Sequence, residues 1–80
     1  MSIRPRLIQV FRETLDLAPD VAVEDLKYRD LPAWNSVGHM QLVAAIESEF
    51  DLMLETEEII AMSSFLEAER TVARHLTPSG

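Results

Sequence analysis

A chain of 80 residues with a formal net charge of −7 has room for one domain with a thin core, burying roughly 60–65% of its unfolded surface. That scale disfavours a walled-off catalytic cleft, and the acidity lacks the basic footprint that nucleic acid requires. The absence of cysteine removes disulfides and thiolate metal sites and points to the cytoplasm. No apolar run nears the ~18 residues of a membrane span, and no signal-peptide pattern follows Ser2-Ile3-Arg4-Pro5-Arg6.

The charge is unevenly placed. Arg4, Arg6, Arg12, Lys27 and Arg29 lie early and Arg70 and Arg74 late, while nine carboxylates and no Lys or Arg occupy the span from Asp30 to Glu69. Such a span suits solubility, and it equally suits an acidic surface approached by basic partners.

In chain order, Ile3, Leu7, Val10, Phe11 and Leu15 recur at helical spacing and predict a helix over 3–17. Ser2 is its N-cap, Pro5 falls in the tolerant first turn, and Pro19 ends it by forcing Ala18 out of the α region. Residues 20–35 have no sustained period and form a long loop, tethered by Leu26, Leu31 and Trp34. Trp34 serves either as an anchor packed under the loop or as an aromatic that contacts a ligand.

The strongest helix runs over 36–50. Val43, Ile46 and Phe50, with Leu42 beside them, make its inward face; Asn35 is a suitable N-cap, and Gly38 and His39 are weak helix formers in its first turn. Ser36, Met40, Ala44 and Glu47 share a flanking face, on which Met40 is either core filler or partly exposed. Residues 51–55 connect, with Leu52 and Leu54 folded inward. Thr56 then caps a short apolar helix that ends near Ser63, with Glu57 and Glu58 at its positive end. So short a helix depends on packing and is the element readiest to shift. Ser64 and Glu67 form a capping box for a last helix with Phe65, Ala68, Val72 and Leu76 on one side, before Pro78 and Gly80 close the chain. The expected fold is an all-α, small four-helix bundle of a single domain over 1–80, with three long helices, one short one and a long first loop.

Little chemistry is available to such a chain. His39 and His75 show no metal-ligand spacing, Gly38 and Gly80 make no phosphate-binding loop, and no GxSxG motif supports a nucleophilic serine. An enzyme is not expected. Ser36 remains, either as an ordinary helix-starting residue worth ~1 kcal/mol or as a place of attachment. In its favour, a helix N-terminus suits a phosphodiester, with an apolar Met40 one turn away on an acidic helix.

The run Trp34-Asn35-Ser36-Val37-Gly38-His39-Met40, continued by Leu42-Val43-Ala44-Ala45-Ile46-Glu47-Ser48-Glu49-Phe50, resembles the motif of the acyl carrier protein family. In that family an Asp-Ser-Leu opens the second helix, which continues to Leu/Ile-Glu-x-x-Phe. The resemblance is specific around Ser36 and extends as a pattern of helix order, length and charge over the chain. It implies that a phosphopantetheinyl transferase attaches 4′-phosphopantetheine from coenzyme A to Ser36, with Asn35 and Val37 flanking the site. The arm's thiol then carries an acyl group as a thioester, which supplies the thiol that the chain lacks. It further implies a docking strip of Met40, Gln41, Ala44 and Glu47 for loading ligases and acyl-transferring enzymes with basic surfaces. Val43, Ile46, Ile59, Ile60 and Met62 would line a seam for the acyl chain, or simply form core.

Asn35 and Val37 depart from the family's Asp and Leu, and Gly38, Gln41 and Ser48 stand where acids are common. The variant looks more like a stand-alone, monomeric carrier of a specialised biosynthetic pathway. An aminoacyl or peptidyl carrier, or an unmodified acidic interaction module of the same fold, are the alternatives.

Overall fold

A computed structural model of the protein describes residues 3–76, so the expected Ser2 cap and the closing Pro78 and Gly80 lie outside the described residues. Helix α1 spans Ile3–Leu15, α2 Ser36–Phe50, α3 Thr56–Ala61 and α4 Phe65–Leu76, with a 3-10 turn at Val23–Asp25. The fold is a small all-α bundle in which α1 packs against both α2 and α4.

Helix α1 stops two residues earlier than Pro19 alone would require. Asp16 takes a left-handed conformation (φ 52°), and the Leu17 N–H reaches back to the Arg12 carbonyl at 3.0 Å. This closure satisfies an orphan carbonyl at the helix end. The Arg12 guanidinium then donates to the carbonyls of Ala18 (3.2 Å) and Val21 (3.1 Å) and fixes the start of the loop.

The long loop is held from within and without. Leu26 and Trp34 are buried as expected and Leu31 only partly, while Val23 in the 3-10 turn is a fully buried tether absent from the sequence reading. The backbone of Lys27 pairs with Ser64 in an isolated antiparallel bridge. Around it, Tyr28 N–H donates to the Ser63 carbonyl (2.8 Å) and Phe65 N–H to the Leu26 carbonyl (2.9 Å). These bonds tie the loop to the α3–α4 junction.

Helix α2 has the bounds its sequence predicts. Asn35 Oδ1 accepts from the Gly38 N–H at 2.9 Å, and Asp51 ends the helix at φ 53°. Gly38 is more than a tolerated weak residue. A Cβ there would lie 2.0 Å from the Ala33 carbonyl oxygen, so the loop approaches α2 through the space a side chain would fill.

Helix α3 begins one residue earlier than a Thr56 cap would place it. Its N-cap is Glu55, in a reciprocal capping box with Glu58, so Thr56 becomes the first helical residue and the motif works with two carboxylates. Ser64 caps α4 as expected, its Oγ accepting from Glu67 N–H at 3.1 Å, whereas Leu76 lies exposed at the helix end instead of joining the apolar side.

The core combines Leu7, Phe11 and Leu15 from α1, Leu42, Val43, Ile46 and Phe50 from α2, and Phe65, Ala68 and Val72 from α4. Phe11 stands edge-on to Trp34 (5.3 Å, 81°) and to Phe65 (5.1 Å, 66°), a geometry favoured by ring quadrupoles. Trp34 is therefore a core residue joining the loop to α1. Among the described residues, no helix is long and apolar enough to cross a membrane.

Candidate functional site

A cavity lies between the start of α2 and α3. It has a volume of about 330 Å³ and is lined by Tyr28, Ser36, His39, Met40, Ile59, Ile60, Met62 and Ser63. Its apolar side comes from Met40, Ile59, Ile60 and Met62, and Tyr28, Ser36 and Ser63 complete its lining. Ser36 is exposed and is the first residue of α2. Its hydroxyl therefore stands at the positive end of a 15-residue helix, where the first-turn N–H groups favour an anionic group. Asn35 supplies the cap without adding a negative charge.

The seam expected between the second and third helices is divided. Ile59, Ile60 and Met62 line the cavity, with Ile60 76% exposed and Met62 only 1% exposed. Val43 and Ile46 are buried in the main core and do not line it. Of the flanking strip, Met40 is 54% exposed, which settles it as a surface residue. Gln41 and Ala44 are exposed beside it, and Val37 adds a further exposed apolar side chain next to the serine. Glu47 is partly buried and turned to structure: its Oε2 accepts from the Leu54 N–H at 2.9 Å, fixing the chain that leads into α3.

His39, Tyr28 and Arg29 were not singled out as site residues from the sequence. His39 lies one turn from Ser36 and bridges two elements. Its Nδ1 accepts from the Trp34 Nε1–H at 3.0 Å, and its Nε2 lies 2.8 Å from the Ile59 carbonyl. The Tyr28 ring packs edge-on against both His39 (5.5 Å) and Trp34 (6.2 Å). Arg29 shares a second, smaller cavity of about 230 Å³ with Leu31, Pro32, Trp34 and Asn35. Its guanidinium lies 5.5 Å from the Tyr28 ring centroid. Arg29 takes a left-handed backbone (φ 74°), and its N–H donates to the Trp34 carbonyl at 3.1 Å.

Two carboxyls on the bundle have lowered pKa values. The Glu58 carboxyl is held below its usual range, first by the Glu55 backbone N–H and then by His75, and the Glu69 carboxyl is lowered by the Arg4 guanidinium. Among the described residues, no group of three His, Cys, Asp or Glu side chains could hold a metal ion.

No protein-family model matches the chain, and no curated protein matches it.

Proposed function

We propose that the protein is a carrier, not an enzyme, that presents a thioester-bound acyl group on a 4′-phosphopantetheine arm attached to Ser36. The observation that carries this reading is an exposed serine at a helix N-terminus, on the rim of an apolar cavity of about 330 Å³. The residues fit such an arm. The Ser36 hydroxyl is accessible to a transferase, the start of α2 offers oriented N–H groups to a phosphodiester, and Met40, Ile59, Ile60 and Met62 offer an apolar wall to a carbon chain.

In the loading step an Oγ–phosphorus bond would form at Ser36 as the pyrophosphate P–O bond of coenzyme A breaks and adenosine 3′,5′-bisphosphate leaves. The hydroxyl proton passes to the transferase or to solvent. When bound, the arm supplies the thiol that holds the cargo. The chain's own contribution is placement. Asn35 caps the helix on which Ser36 sits, Gly38 lets the loop close against it, and Trp34 fixes the loop in the core. Exposed Val37, Met40, Gln41 and Ala44 form the strip that partner enzymes approach, namely a phosphopantetheinyl transferase, a loading ligase and acyl-transferring enzymes with basic surfaces. The surrounding carboxylates steer them. The setting is a cytoplasmic, specialised biosynthetic pathway.

The test is incubation with a promiscuous phosphopantetheinyl transferase, Mg²⁺ and coenzyme A. Intact mass should rise by one arm in the native chain and stay unchanged in Ser36→Ala. Asn35 favours a second reading, an unmodified acidic interaction module, because its amide retains the cap while withholding the acid that the resembled motif carries. A large gain in labelling for Asn35→Asp over a nearly unlabelled native chain would support that second reading.

A further inference from the structure

Both histidines of the chain hold the same short helix. α3 contributes no buried residue of its own, and two of its groups are gripped from outside. His75 Nε2 of α4 meets the Glu58 carboxylate at 2.9 and 3.0 Å, and His39 Nε2 of α2 meets the Ile59 carbonyl at 2.8 Å.

The His39 contact has a defined direction. An indole N–H only donates, so the Trp34 bond requires a lone pair on His39 Nδ1. The two rings are near parallel, 16° apart, and the indole nitrogen lies 3.0 Å from Nδ1. The imidazole proton therefore sits on Nε2, and Nε2 donates to Ile59. That carbonyl is one that α3 leaves poorly satisfied. The helix ends at Ala61, the Ser63 N–H turns to the Ala61 carbonyl (2.8 Å), and Met62 N–H reaches Ile59 at only 3.3 Å. His39 thus caps the C-terminal end of α3 from a neighbouring helix.

We propose that His39, fixed by Trp34 as the Nε2–H tautomer, is the positioning residue that keeps α3 closed against α2 and so controls access to the cavity beside Ser36. Trp34, His39 and Ile59 form one line from the core, through the first turn of α2, to the α3 wall of the cavity. Release of the last link lets α3 move away and widens the cavity for an apolar chain, while the core around Phe11 keeps its packing. This regulation rests on the carrier reading, whereas its test uses the unmodified chain, so failure of Ser36 to take an arm leaves the outcome unaffected.

Two variants separate the halves of the line. His39→Asn keeps an acceptor at the position of Nδ1 but falls short of Ile59. His39→Gln keeps a donor at the reach of Nε2 but offers Trp34 no acceptor there. Amide hydrogen exchange read by NMR should speed up about tenfold at Ile59, Ile60, Ala61 and Met62 in His39→Asn, with α1 and α4 unchanged. His39→Gln should leave α3 amides near their native rates and speed exchange of the Trp34 indole proton. Acceleration spread evenly over the helices, equal effects of the two variants on α3, or unchanged α3 amides in His39→Asn would each overturn the proposal. A long-range nitrogen–proton correlation spectrum of the native imidazole gives a second reading: a protonated Nε2 and a bare Nδ1 support it, and the opposite tautomer overturns it.

Discussion

Helices α2 and α3 face each other across one cavity and are held there by different forces. α2 buries Leu42, Val43, Ile46 and Phe50 in a core shared with α1. α3 buries none of its own residues and relies on flanking Leu54 and Met62, a capping box and two histidine contacts. Apolar burial contributes a few kcal/mol for each large side chain, whereas a net hydrogen bond contributes about 0.5–1.5 kcal/mol. The wall that bears Ser36 is therefore fixed by packing, and the opposite wall is set by contacts that a small change in free energy can release. The attachment proposed for Ser36 calls for the first kind of support, and the adjustable access proposed for the cavity calls for the second.

The sharpest way to break this contrast is in the core of α2. Leu42→Ala, at a fully buried position, should cost about 2–5 kcal/mol, read as a fall in the midpoint of chemical denaturation. A cost under about 1 kcal/mol would mean that α2 is no better held than α3. Next in size is Gly38→Ala, where the new methyl meets backbone at Ala33. Overpacking of this kind costs about 1–3 kcal/mol, and the displaced loop should also change Trp34 fluorescence. Asn35→Ala removes the cap bond to Gly38 and should lower stability by about 1 kcal/mol.

On the α3 side the effects should be smaller. The Glu58 carboxyl titrates below its ordinary value of 4.5 in the folded chain. Its contribution is thus present above the ordinary carboxylate range and fades as pH falls through the lowered folded value. Glu58→Gln should flatten this part of the acid limb of a stability–pH curve. Glu69, lowered in the same direction by Arg4, should leave the remainder. Ile60→Ala, at a 76% exposed position, should change stability by less than about 0.5 kcal/mol.

The same contrast decides what could be read in the sequence. The bounds of α2 were legible because its apolar stripe is long and Asn35 is a strong cap. The α-helical bundle and the inward Trp34 were legible for similar reasons of pattern and size. α1 ended early because a left-handed Asp16 closes the helix before Pro19 acts, and Asp is not a residue whose sequence context announces that conformation. The cap of α3 moved to Glu55 because its carboxylate pairs reciprocally with Glu58, a use of Glu that ordinary cap preferences do not favour. Val43 and Ile46 share the apolar character of Ile59 and Met62, so composition could not separate core from cavity wall. His39 was read as a weak helix former because its partners lie 5 and 20 residues away. The packed half of the site was written in local periodicity, and the half held by polar contacts depended on the assembled fold.

The most direct test of the account is the intact mass of the protein purified from the cells that make it, followed by mapping of the peptide that contains Ser36. The expected result is a chain heavier by one 4′-phosphopantetheine, alone or with its thioester cargo, and with the added mass on Ser36. A chain found wholly at the mass of its 80 residues, or modified at another residue with Ser36 bare, would contradict it.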